Sequence, residues 1–165
     1  MDLLAYFCTL LQEAIRIYWP ALAFNALVYF LWLLNERVDL PFDFKLSIGK
    51  TRIIGDSRGF IGGVLALLIG VLGSVLTQTT LPLYASLGAE FGAIAESFVK
   101  RRLGVRQGSH LLFVDESDTL IGATLFLLLA TEIPLDVFLF ALSFTFAGHL
   151  FFNKKVRPIL ESKWN

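Results

Sequence analysis

Apolar residues run in long blocks separated by short polar segments, and five of these blocks approach the roughly 20 residues needed to cross a hydrocarbon core of about 30 Å. The first, residues 3–34, exceeds one span and contains Pro20; it predicts a membrane helix over about 14–34, with 3–12 as a lead-in or extension. Tyr18 and Trp19 would then sit at headgroup depth, where amphipathic rings are favoured. Further spans are predicted at about 59–78, 81–99, 115–133 and 135–152, with a tight polar turn at 77–80 joining the second to the third. The fourth is purely apolar only over 120–130. The pattern predicts an all-α integral membrane protein, one domain over 1–165, with loops 35–58 and 100–114 on one side.

Charge gives these spans a direction. Thirteen of the fourteen Lys and Arg residues fall after spans one, three and five, and only Arg16 lies elsewhere. By the positive-inside rule the N-terminus is outside and the C-terminus cytoplasmic, in the cell membrane. Asp2, with no early Lys or Arg, does not fit a cleavable signal peptide. On this topology thirteen basic side chains face nine acidic ones inside, against one and five on the outer side, so the formal charge of zero is a cancellation across the bilayer. Small residues recur at helical spacing on two spans: Gly59, Gly63, Ala66, Gly70 and Gly73 on the second, Ala85, Gly88, Gly92 and Ala95 on the third. Such stripes let backbones approach closely, and they also leave room for a lipid chain.

Composition agrees. Of 165 residues 56% are hydrophobic and 17% charged, against about 25% charged in soluble domains, which excludes an ordinary water-soluble globule and a disordered chain. Zero net charge argues against a nucleic-acid binder. The single Cys8 forms no intrachain disulfide, and two His are too few for a Cys/His metal site.

Three polar clusters gather at the inner ends of spans two, three and four. Asp56-Ser57-Arg58-Gly59 follows Gly55 and runs straight into a helix, where free N–H groups suit a phosphate; its plainer reading is an Asp/Ser helix cap. In Glu96-Ser97-Phe98-Val99-Lys100-Arg101-Arg102, positions 97, 100 and 101 share a helix face, and a hydroxyl, an ammonium and a guanidinium together make a phosphate cradle. The alternative is a basic anchor snorkelling to headgroups, the reading preferred for Arg102 and Arg106. Asp115 and Asp118 stand one turn apart, hard oxygen donors suited to Mg²⁺ held together with substrate phosphates; a cap with a dipole-facing carboxylate is the alternative. Glu116 lies on another face. Together the three clusters suggest Mg-nucleotide chemistry on a lipid head at one membrane surface. Glu90, mid-span, either pairs with Arg16 or sits at the deep end of the site; His110 and His149 read as polar interface residues.

At these residues the sequence resembles the CDP-archaeol synthase family and, more distantly, the phosphatidate cytidylyltransferases. The matching stretches are Arg58-Gly59-Phe60-Ile61-Gly62-Gly63, then Glu96-Ser97-Phe98-Val99-Lys100-Arg101-Arg102-Leu103-Gly104, then Asp115-x-x-Asp118 with Ile121-Gly122-Ala123. The resemblance implies a Mg-dependent nucleotidyltransferase of archaeal phospholipid synthesis. It would move CMP from CTP to an isoprenoid glycerol-ether phosphate and release pyrophosphate. Ser97, Lys100, Arg101, Arg58 and the Asp56–Gly59 turn would hold the nucleotide phosphates; Lys100, Asp115 and Asp118 would be catalytic, and Asp115 and Asp118 would bind metal.

Two departures from the family pattern stand out. Relatives carry Gly-Asp seven residues before the Lys, where this chain has Gly92-Ala93, so Glu96 one turn on, with Asp56, is the substitute carboxylate. Relatives also read Asp-Gly-Lys-Thr ahead of Arg-Gly, where Asp56-Ser57 here leads directly into Arg58 and Lys50-Thr51 lies upstream. The competing functions are an ester-lipid phosphatidate cytidylyltransferase and, from another class, a small transporter subunit with Glu90 at its midplane. A prenyltransferase would need a second acidic motif, and a CDP-alcohol phosphotransferase a longer Asp-rich signature. Nothing in the pattern selects cytosine, names the lipid chain or sets an oligomeric state.

Overall fold

The computed structural model describes residues 2–34, 40–49, 51–55, 58–105, 114–156 and 158. Its first helix, α1 (Leu3–Leu34), is continuous for 32 residues, about 48 Å at 1.5 Å per residue, so the stretch before position 14 is an extension of the helix. Pro20 is buried within it. This length moves Tyr18 to mid-helix: the residue is 1% exposed, and its hydroxyl meets that of Thr124 at 2.9 Å. The expected interfacial position of Tyr18 is therefore corrected, because a buried hydroxyl needs a partner and finds one on another helix.

A short hairpin follows, β1 (Ser47–Ile48) antiparallel to β2 (Thr51–Arg52), within what the periodicity left as a loop. Then come α2 (Phe60–Thr77), α3 (Leu81–Arg102), α4 (Val114–Leu127) and α5 (Leu135–Phe151), the last continued by a π-helical turn, Phe152–Val156. The helix within the fourth apolar block stops at Leu127, about 21 Å long, and residues 128–130 turn. Among the described residues three helices are long and apolar enough to cross a membrane: Leu3–Leu31, Phe60–Thr77 and Leu135–Val156. α3 is just as long, but Glu90, Glu96 and its basic last turn lower its hydropathy.

α3 is the axis of the bundle, packed against α1, α2 and α4. Its buried side is nearly all small: Ala85, Ser86, Gly88, Ala89, Gly92 and Ala93. Among apolar helices with no water to expel between them, close van der Waals contact is what holds them together. The two small-residue stripes serve different partners. On α2, Gly70 lies against Leu83 and Ser86, and Gly73 against Pro82 and Trp19. On α3, Gly88 and Gly92 face α4, where a Cβ at either would strike the backbone of Gly122 or Asp118. α1 contributes Ala14, Tyr18, Ala21 and Phe24 to the core, and α5 contributes Val137 and Ala141.

Candidate functional site

α3 ends where its sequence says it should. Lys100, Arg101 and Arg102 fill the last turn, where cations favourably meet exposed carbonyls. Gly104, at φ +69°, then closes the helix: its N–H bonds the Arg101 carbonyl at 3.3 Å and the Val105 N–H bonds that of Lys100 at 3.0 Å. This double closure needs the left-handed conformation glycine allows. α4 starts nearby with Asp115 in its first turn, and the glycine contact between α3 and α4 brings the two ends together.

The result is a compact charge network. The Lys100 ammonium pairs with Glu96 one turn below it and with Asp115 Oδ1 across the helix interface at 2.6 Å. Ser97 donates to Glu96 Oε2 at 3.1 Å and accepts from Arg58 Nε at 3.4 Å. Arg58 Nη2 stands 3.7 Å from Glu96 Oε2 and 3.7 Å from Asp118 Oδ2. The Asp118 carboxylate also accepts the Thr119 N–H at 2.7 Å. Three carboxylates thus surround two cations on mostly buried side chains, so a lost partner would leave a charge exposed to a low dielectric.

Sequence reasoning named all six of these residues, and the fold joins them from three elements. Arg101 lies half-buried on the same turn as Lys100. Gly59 is the N-cap of α2 with extended backbone and no side-chain cap; instead the Phe60 N–H bonds the Leu40 carbonyl at 3.1 Å. Asp56 and Ser57, like Lys50, Arg106 and His110, lie outside the described residues. Arg102 is exposed, and its guanidinium donates to the Arg52 carbonyl at 2.7 Å and lies over the Phe98 ring, tying α3 to the hairpin. His149 meets Asn25 at 3.0 Å between α5 and α1, as a polar interface residue should.

The expected alternative pairing of Glu90 with Arg16 is corrected: Arg16 binds Glu13 on its own helix. Glu90 is buried, and its carboxylate reaches the first turn of α2, where a Cβ on Gly62 would come within 2.8 Å of Oε1. It therefore belongs to the end of the bundle that carries the charge network.

Sequence reasoning missed the clasp that positions Arg58. Asp43 is buried and accepts the Lys45 N–H at 3.0 Å, Arg52 Nε at 3.1 Å, and the N–H groups of Ile54 and Gly55 at 3.0 Å each. Burial alone would raise its pKa, but the Arg52 guanidinium and the three N–H groups outweigh it and hold the carboxyl well below the usual range. The Phe42 N–H reaches the Arg58 carbonyl at 3.2 Å, tying the two ends of the loop together. An acid flanked by Phe42 and Phe44, nine residues from an Arg, was the available signal.

Apolar helices that converge on a buried cluster of cations and carboxylates define a multi-pass membrane protein with a charge network at one end of its bundle. The arrangement has close relatives. The chain belongs to the CarS-like CDP-archaeol synthase family, whose model matches residues 30–157. Proteins named CDP-archaeol synthase from Sulfolobus acidocaldarius and Saccharolobus solfataricus are 29% and 32% identical to it over 146 and 145 residues; these spans are 82% of this chain in both cases, and 86% and 84% of the relatives. The Sulfurisphaera tokodaii protein of that name is 30% identical over 135 residues, 77% of this chain and 78% of its own. A solved structure of an intramembrane enzyme for archaeal membrane lipid biosynthesis superposes with a TM-score of 0.71 at 27% identity, covering 87% of this chain and 94% of the other.

Proposed function

We propose that this chain transfers CMP from CTP to an isoprenoid glycerol-ether phosphate, giving CDP-archaeol and pyrophosphate. The family supports this reading, and the observation that carries it is the Arg58–Ser97–Glu96–Lys100–Asp115 network joined to Asp118. A triphosphate is the ligand such a network suits. Its anionic oxygens compete with the carboxylates for Lys100, Arg58 and Arg101, so binding would exchange internal ion pairs for charge-assisted phosphate contacts.

The chemistry then needs little beyond placement. A phosphate monoester has a second pKa near about 6 and is mostly dianionic at neutral pH. The lipid phosphate can attack the α-phosphorus in line, its oxygen forming the new P–O bond as the bond to pyrophosphate breaks. No general base is required. Lys100 and Arg101 stabilise the charge gathering on the departing pyrophosphate, Ser97 and Arg58 orient the nucleotide, and Asp56, Ser57 and Gly59 are the further nucleotide-binding candidates of this reading.

Asp115 and Asp118 fit a Mg²⁺ ion by donor chemistry: hard oxygens one helical turn apart. Among the described residues no three His, Cys, Asp or Glu side chains are placed to hold a metal ion by themselves, so the ion would be shared with the phosphates, the usual manner for Mg²⁺. Glu96 and Asp56 are the additional donors in this reading. When bound, the ion supplies charge neutralisation of the triphosphate. In the same reading the chain crosses the membrane five times, with its N-terminus outside and the site at the cytoplasmic surface. The basic residues after spans one, three and five support that orientation.

The deciding experiment incubates purified protein with each of the four NTPs and with ether or ester lipid phosphates, and measures pyrophosphate. Release is expected with CTP and an ether lipid phosphate, and only with Mg²⁺ present. No release with CTP and any lipid phosphate would overturn the assignment; a preference for ester lipids would make it a phosphatidate cytidylyltransferase. Ping-pong kinetics would rule out direct transfer.

A further inference from the structure

The loop that carries the Asp43 clasp has an outer edge which the charge network does not use. From Phe44 to Gly49 the sequence alternates, Phe-Lys-Leu-Ser-Ile-Gly, and the apolar members are open to the surroundings: Phe44 60%, Leu46 60% and Ile48 56% exposed, with Leu40 at 57% beside them. Alternation on a strand puts one set of side chains on one face. Ile48 pairs in the hairpin with Thr51, and the Ile53 N–H bonds the Leu46 carbonyl, so Leu46 and Ile48 project together while Ser47 turns the other way. Four large apolar side chains on one short loop far exceed the scattered exposure of a water-facing surface.

Their position gives the occupant. The loop is fastened to the start of α2 by the Pro41–Gly59 bridge and the bonds between residues 40–42 and 58–60. Phe42 lies against Gly63, one turn into that membrane helix, and the Phe60 ring contacts both Phe42 and Phe44, with centroids 4.8 and 5.5 Å apart. The apolar edge is thereby continuous with the outer face of α2, where Phe60, Ile61, Val64 and Leu67 are exposed to lipid. Phe44 and Lys45 both adopt positive φ, +45° and +65°, a conformation non-glycine residues seldom adopt, and the Asp43 carboxylate fixes it through the Lys45 N–H. Held this way, the Phe44 ring stays on the edge beside Phe60, and Lys45 adds a cation beside it.

We propose that residues 40–48 form a membrane-surface foot: Leu40, Phe44, Leu46 and Ile48 dip into the headgroup–acyl boundary of the leaflet around the start of α2, with Lys45 among the lipid phosphates. Apolar faces on interfacial segments reach about 5–10 Å into this zone. The foot fixes the height of the clasp, and of Arg58 behind it, relative to the lipid headgroups.

The test uses the full chain with Cys8→Ser as background, single cysteines from Ile48→Cys, Leu46→Cys or Ser47→Cys, an environment-sensitive fluorophore on each, and reconstitution into phosphatidylcholine–phosphatidylglycerol vesicles. Labels at 46 and 48 should be quenched several-fold more than the label at 47 by nitroxides on the upper acyl chain, and less by aqueous iodide. Iodide reaching all three equally, with no lipid quenching at 46 or 48, would overturn the proposal. All three positions are exposed, so folding does not depend on them; CTP-dependent pyrophosphate release, with an ether lipid phosphate added to the same vesicles, checks integrity separately.

Discussion

Lys100 and Asp115 meet at 2.6 Å across the interface between α3 and α4, a direct charge-assisted contact between ammonium and carboxylate. The same ammonium also serves Glu96, so one cation balances two acids drawn from two helices. Its side chain therefore ties the end of α3 to the start of α4 and lies at the centre of the proposed site.

Replacing it separates the two roles. Lys100→Met removes the cation that Glu96 and Asp115 share and should lower stability by about 3–5 kcal/mol, the usual effect of breaking a buried pair. Activity should fall by roughly 10²–10³, as when one donor to developing charge is removed. Adding Glu96→Gln should recover part of the melting temperature in detergent without recovering CMP transfer. Full activity in the double variant would remove Lys100 from the chemistry.

Arg58 is more accessible, and its contacts at 3.4–3.7 Å are long for ion pairs. Arg58→Gln should consequently raise the KM for CTP far more than it changes the melting temperature. A melting loss comparable to that of Lys100→Met, with KM unchanged, would make Arg58 structural.

Asp43 contributes through its depressed pKa. Its unfolded value is about 3.9, and a group held below that adds stability which is complete above it and disappears as pH falls toward the folded value. The wild type should therefore lose stability between about pH 5 and pH 2 more steeply than Asp43→Asn, and the two should run parallel above about pH 5. Thermal inactivation in detergent across this range measures it. At neutral pH, Asp43→Asn should also lower kcat/KM, because Gly55 and the path to Arg58 hang on that carboxylate.

Glycine substitutions should divide sharply. A Cβ at Gly122 would collide with the backbone at Gly88 and Gly92, so Gly122→Ala should force α3 and α4 apart and abolish activity. A Cβ at Gly148 meets nothing within 4 Å, and Gly148→Ala in mid-helix should be neutral or stabilising by up to about 1 kcal/mol. Expression and melting of the two variants compare them directly.

The helices were legible because apolar blocks of membrane length leave little choice of structure, and the six network residues were legible because each sits where a block meets polar sequence. Tyr18 was misplaced since periodicity cannot show that a 32-residue helix overshoots the bilayer. The partner of the Gly88–Gly92 stripe was equally invisible: spacing marks a face but not the helix it meets. The Asp43–Arg52 clasp depends on a hairpin of two-residue strands, too short to register as alternation with its turn. The contact of Arg102 with the hairpin was invisible too, because only the folded loop supplies the Arg52 carbonyl it reaches.

The shortness of α4 has a consequence for the surrounding lipid. In the five-span reading its described residues, Val114–Leu127, measure about 21 Å against a hydrocarbon slab of about 30 Å, and the apolar turn at 128–130 is placed to extend them. Leu128 and Leu129 are open to do so, above a cavity lined by Ile121, Leu125, Ile133 and Phe138. The two carboxylates Asp115 and Asp118 are thus carried on the shortest of the described α-helices.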